Sequence, residues 1–152
     1  MSYHVDKVSW LHKKAQLKQI RERVFVYELH IPKEVEFDAL DAESDHVIIC
    51  DADDEPVGTG RLSPDGLISR IAVVQSHRNR DAYASLLNYL VYLANDKGLD
   101  NIYVNCILDE VPNFVENGFL KQGCVFMEAG IPRQKLRCPI SAFKTEPFTM
   151  LH

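Results

Sequence analysis

Two groups of residues in this 152-residue chain have types and spacings that could do chemistry. The first is HRNRDAYASLL, residues 77–87, where His77, Arg78 and Arg80 fill a turn between two apolar runs, LISRIAVV and YASLLNYLVYLAND. A strand, a basic turn and a helix start make an anion cradle. The first N–H groups of a helix lack intrahelical partners, and the helix dipole adds positive potential. Such cradles are usually rich in glycine, and this one has none. The second group is the acidic stretch between Glu28 and Gly66, with twelve acids against Lys33 and Arg61. It suits a cationic ligand such as an amine. Within it, residues 51–55 read as a solvated turn. Arg70, inside an apolar run, must find an acidic partner or face a groove.

The elements that position these groups follow from periodicity and punctuation. Residues 3–10 suit a first strand. Residues 12–27 suit a helix, with Ala15 followed by Leu17, Ile20, Val24 and Tyr27, the last four spaced three and four apart, and Pro32 soon after. Residues 30–43 are irregular. HVIIC (46–50), VGTGRLS (57–63) and residues 67–74 are strands, with turns at 51–56 and at Pro64-Asp65-Gly66. Residues 83–96 form an amphipathic helix closed by Gly98, residues 102–107 a strand, and residues 109–117 a short helix with Pro112 early and Gly118 after its end. Strands at 120–128 and 134–138 flank AGIPR, and the tail after about residue 139 is unassigned. The order predicts one mixed α/β (α+β) domain over residues 1–152, with a central mixed sheet flanked by helices.

Composition excludes several classes. Hydrophobic residues make up 46% and charged residues 26%, as in ordinary globular chains. No run is long and apolar enough to span a membrane, and MSYHVDKVSW lacks the apolar core of a signal peptide. The net charge of −5 with an acidic middle argues against nucleic acid. Cys50, Cys106, Cys124 and Cys138 have no C-x-x-C spacing and read as reduced thiols, which points to the cytoplasm. The six histidines form no metal-ligand pattern. Phe143, Phe148 and Leu151 in the tail could cover a neighbouring copy, as in a homodimer.

The chain resembles the GNAT acyltransferase superfamily and, within it, the small ElaA-like branch. RERVFVYE (21–28) with Ile31-Pro32, the residues Glu36, Asp38, Asp41 and His46, PVGTGRL (56–62), Arg70-Ile71-Ala72-Val73, VPNFVENGF (111–119), and Gly123, Phe126, Glu128 and Gly130-Ile131-Pro132 carry the likeness in order. The resemblance implies transfer of an acyl group, usually acetyl, from coenzyme A to the amine of a small molecule or a lysine side chain. It implies that acetyl-CoA lies along Ile71, Ala72 and Val73. Its pyrophosphate would sit on residues 74–83, among them Arg78, Asn79, Arg80, Asp81, Ala82 and Tyr83. It also implies that the strands beginning at Leu67 and Ile102 run parallel and splay apart around the cofactor.

Against the family pattern Arg-Gly-x-Gly-x-Gly/Ala, the glycine positions hold Asn79, Asp81 and Tyr83. Asn79 is the mildest change, because Asn tolerates positive φ. Asp81 would repel a phosphate by roughly 3 kcal/mol at about 5 Å and an effective dielectric near 20. Asn79 or Asp81 could instead cap the helix and occupy the anion site internally. The family tyrosine that protonates the departing thiolate falls at Phe114, which has no hydroxyl. The branch's histidine after G-I-P is Arg133. For the base, Glu28, Glu36, Asp38 and His46 are candidates. Glu28, at the end of a helix bordering the acceptor groove, comes first, and Glu36, Asp38, His46 and Arg70 are expected around the acceptor. The expected function is an acyl-CoA-dependent N-acyltransferase. The alternative is a catalytically degenerate module that binds a ligand or a protein partner. An acyl-homoserine-lactone synthase ranks last, since the expected aromatic residue is missing from residues 29–32.

Overall fold

The computed structural model describes residues 2–144, apart from the side chains of Glu34 and Val35. Its strands join in one sheet, in the order β1 (His4–Val8), β2 (Asp45–Cys50), β3 (Pro56–Leu62), β4 (Leu67–Val73), β5 (Asn101–Ile107), β8 (Ile131–Pro139) and β6 (Leu120–Lys121), with β7 (Phe126–Glu128) paired to β8. Strands β1, β2, β3 and β4 form an antiparallel meander. Strand β5 lies parallel to β4, and β8 pairs antiparallel to β5. Helix α1 (Trp10–Arg21) and the short helices α2 (Lys33–Glu36) and α4 (Val111–Glu116) accompany the long helix α3 (Arg80–Asp96). The main core lies where Ala82, Tyr83, Leu86, Leu87 and Leu90 of α3 meet the buried residues of β2 to β5. Among the described residues, no helix is long and apolar enough to cross a membrane.

Glycine is needed in β3 for close approach. A Cβ on Gly60 would stand 2.9 Å from Leu90 Cδ1 and 3.2 Å from Val47 Cγ2, so the helix packs onto bare backbone there.

Several boundaries differ from the sequence expectation; the strand expected at residues 134–138, for one, already begins at Ile131. The first helix starts at Trp10 and turns π-helical over Glu22–Glu28, where Leu29 N–H reaches back to Val24 O and Ile31 N–H to Phe25 O. Helix α3 starts at Arg80 rather than at residue 83, because the Asn79 side chain caps it. The expected strand at residues 120–128 is two short pieces, β6 (Leu120–Lys121) and β7 (Phe126–Glu128). Gly123, at φ +77°, turns the chain between them. In the tail, Phe143 packs edge-on to Phe119 of its own core, at 6.5 Å between ring centres. Phe148 and Leu151 lie outside the described residues.

Candidate functional site

The parallel contact between β4 and β5 consists of two residue pairs, Leu67 with Tyr103 and Ile68 with Val104, although the strands continue to Val73 and Ile107. They therefore splay. On the far side of β4, Thr59 pairs with Ala72 and Arg61 with Ser69, so Gly60 faces two residues, Arg70 and Ile71. This is a β-bulge, and Arg70 takes φ +54° within it. Left-handed backbone at a long side chain is uncommon, and bulges re-aim side chains. Here the bulge turns Arg70 to Nε contacts with Glu36 O at 3.0 Å and Glu36 Oε2 at 3.2 Å.

Beside the splay lies a cavity of about 320 Å³. Phe25, Ile31 and Leu40 supply apolar wall. Arg61, Arg70, Arg133, Glu36, Asp38 and Glu128 supply charge, and Asn105 an amide. Behind one wall sits an arginine–carboxylate network. Arg21, 1% exposed, donates from Nε to Glu36 Oε2 at 2.7 Å and from Nη1 to Asp41 Oδ1 at 2.8 Å. Arg61 Nη1 donates to Asp38 Oδ1 at 2.8 Å and to Asp41 Oδ1 at 3.0 Å. Arg70 Nη2 reaches Asp38 Oδ2 at 3.0 Å. Three guanidinium groups thus face three carboxylates. Each buried charge is paired, as burial demands.

The three carboxylates differ in setting. Glu36 is 2% exposed, and burial pushes its pKa above the usual 4.5 despite Arg70, Arg21 and Arg61. Burial also pushes Asp41 upward, but the hydrogen bonds and charges of Arg21 and Arg61 outweigh it and hold the group below the usual 3.8. Asp38 closes a reciprocal cap: its side chain accepts from Leu40 N–H while Asp41 accepts from Asp38 N–H. His46 stacks on Trp10 at 4.9 Å, and its Nε2 lies 2.7 Å from Asp41 O. Burial lowers its pKa, and because a carbonyl oxygen can only accept, Nε2 carries a proton and donates that bond.

The turn before α3 is arranged differently. Asn79 is extended at φ −134°, and no residue from His77 to Tyr83 has positive φ. Contrary to the sequence expectation, tolerance of positive φ plays no part at Asn79. The loop needs no glycine for conformation, and Asn79 serves as the cap. Its Oδ1 accepts from Ala82 N–H at 3.0 Å, and its backbone O lies 3.3 Å from Tyr83 N. The N–H groups of His77 and Asn79 bond Val74 O and His77 O within the turn. Asn79 Nδ2 also donates to Tyr3 Oη, whose hydroxyl in turn lies 2.9 Å from His77 Nδ1. Tyr83 is 1% exposed in the main core. Arg78 donates twice to Glu28, at 2.5 and 2.7 Å, and once to Val73 O at 2.8 Å. Several backbone and side-chain donors of the turn before α3 are thus already engaged within the protein.

Of the residues singled out in the sequence, Glu36, Asp38, Arg70 and Ile71 meet at the cavity. Glu28 sits instead at the Arg78 pair. His46 lies behind the network. Ala72 and Val73 are buried in β4. Arg80, Asp81 and Ala82 form the first turn of α3. Phe114 is 1% exposed, edge-on to Phe119 at 5.0 Å. Phe114→Tyr would bury a new hydroxyl there. The expected result is a loss of about 1–3 kcal/mol of stability, read from urea denaturation. An unchanged curve would place the ring edge against water or a polar partner. Sequence reasoning did not identify Arg21, Arg61 and Asn105 as site residues. Asn105 carried a signal, an amide inside the apolar run IYVNCI, and Arg61 a weaker one in VGTGRL, whereas Arg21 sits among the charged residues of KQIRER and carried none.

A family model described as an acetyltransferase (GNAT) domain matches residues 11–139. The uncharacterized N-acetyltransferase YjcF of Bacillus subtilis is 33% identical over 121 residues, covering 77% of this chain and 86% of that one. The crystal structure of an acyl-CoA N-acyltransferase from Pseudomonas aeruginosa aligns with a TM-score of 0.74 at 21% identity, over 90% of this chain and 98% of that one. Escherichia coli ElaA aligns at 0.71 and 21% identity, over 91% and 99%. At such identities the two structures speak for the fold.

Proposed function

The chain belongs to the GNAT acetyltransferase family, and on that premise we propose that it transfers an acetyl or other small acyl group from coenzyme A to an amine held in the cavity. Glu36 is the base. The observation that carries this reading is a nearly buried carboxylate with a raised pKa, on the wall of a cavity beside splayed parallel strands. The splay between β4 and β5 suits the pantetheine arm of the cosubstrate. Arg80 and the first turn of α3 are the groups nearest at hand for its diphosphate.

The amine enters as an ammonium and gives one proton to Glu36, directly or through water. Its nitrogen then attacks the thioester carbon. The C–N bond forms, the C–S bond breaks, and the electron pair leaves on sulfur. The attacking nitrogen's second proton ends on the thiolate through solvent, since Phe114 offers no hydroxyl. Positioning carries much of the acceleration in such a scheme.

A second reading, a ligand-binding module without turnover, has its own support in the internally capped turn and the Arg78–Glu28 pair. One experiment separates the two. Acetyl-CoA is expected to raise the melting temperature, because a ligand bound only by the folded state stabilises it. It is also expected to release thiol in an amine-dependent way. A melting shift without thiol release favours the module, and the absence of both effects overturns the proposal.

A further inference from the structure

Arg133 stands apart from the three arginines of the network. It is 8% exposed and lines the cavity. Its Nη1 donates to Asn105 O at 3.0 Å, but its Nε is buried without a hydrogen bond. The carboxylate beside it is Glu128, with Oε1 3.4 Å from Nε and a side chain 39% exposed. On the same wall, Asn105 Oδ1 is buried and also lacks a hydrogen bond. Arg21, Arg61 and Arg70 are matched by Glu36, Asp38 and Asp41, so none of those acids is left for Arg133.

Buried charged donors are kept hydrogen-bonded, and a guanidinium matches a carboxylate through two parallel N–H···O bonds. We infer that Arg133 receives a carboxylate of the acceptor, so the acceptor is an amine that also carries a carboxylate, with amino acids as the simplest class. The acyltransfer reading is the base on which this rests. The molecule spans from Arg133 to the wall of Glu36 and Asp38, which takes its ammonium. Asn105 Oδ1 is a further acceptor for one of its N–H groups. Arg61, Arg70 and Arg133 balance Glu36, Asp38 and Glu128 around the cavity, which suits a zwitterion better than a bare cation or a polyanion. A cavity of about 320 Å³ matches a small metabolite.

The test measures thiol release from acetyl-CoA with amino acids and with matched amines lacking the carboxylate, beside thermal shifts for both sets. Amino acids should be preferred in kcat/KM by roughly 10–100-fold, the range for a buried hydrogen bond to a charged group. In Arg133→Gln that ratio should collapse toward one, with the change mainly in KM. Arg133→Lys keeps the charge without the fork and should fall between the two. It also serves if the Gln variant does not fold. Equal kcat/KM for both sets, or a ratio retained in Arg133→Gln, overturns the inference and leaves acyltransfer standing. If no amine releases thiol, acyltransfer fails. A melting shift given by amino acids and lost in Arg133→Gln would then still support the subsite, and no such shift would overturn it.

Discussion

Arg21→Met is expected to lower the stability of the folded chain by about 3–5 kcal/mol, the usual result of removing one partner from a buried ion pair. Arg21 is 1% exposed and makes hydrogen bonds to the carboxylates of both Glu36 and Asp41 and to Glu36 O. Methionine fills much of the volume but leaves two buried carboxylates short of a cation. Since domains of this size are stable by only about 5–15 kcal/mol, urea denaturation should show the change at once. The pH dependence gives a second reading. Asp41 has its folded pKa held below 3.8, so its contribution is complete above that value and is lost as pH falls through the lower folded pKa. Without the Arg21 hydrogen bond, the foremost influence pulling that pKa down, the loss of stability on acidification should be shallower. A variant as stable as the parent, with the same acid slope, would mean that the network contributes little to folding.

Glu36→Gln is expected to reduce amine-dependent thiol release by roughly 10²–10⁴-fold, the range typical of a general base. The amide oxygen of Gln still accepts from Arg21, yet the negative charge between Arg21 and Arg70 is lost, so activity must be expressed per folded molecule. The pH profile is the sharper criterion. Burial raises the pKa of Glu36 above 4.5, against Arg70, Arg21 and Arg61. Catalysis needs the ionised form, so kcat/KM should fall as pH drops through a value above 4.5 and level off above it. In Glu36→Gln that acid limb should vanish. A limb that persists would assign the base to another group, and Glu28 would be the next residue to substitute.

Much of the scaffold was legible in the chain. The apolar runs at residues 46–50, 67–74 and 102–107 are β2, β4 and β5 within a residue or two; β2 is buried almost throughout and reads as a continuous apolar run, whereas in β5 buried and half-buried positions alternate. The parallel, splayed pair came from family resemblance and is present. Glu36 and Asp38, picked out of the acidic stretch, and Arg70, picked out as a charge in an apolar run, line one cavity, while His46, expected beside them, does not. The bulge at Arg70 was not legible. It depends on a one-residue register shift against β3, which no local pattern announces. Nor was the partner of Glu28. Arg78 lies fifty positions away in sequence, and only the fold brings the two together. Asn79 as a helix cap was legible as an alternative, since Asn is favoured there, but the choice between cap and positive φ needed the backbone itself.

The two residue pairs that join β4 to β5 also bear on how the molecule moves. Past Ile68 and Val104 the sheet is two blades riveted at one end, the meander on one side and β5 with β8 on the other. Within each blade, ladders of hydrogen bonds resist shear. Between the blades, beyond the rivet, the restraint comes from the side chains that α3 lays across both, and packing contacts yield more readily than a closed ladder. A molecule wedged between the blades would act as a spacer, replacing the missing ladder and stiffening the sheet from within.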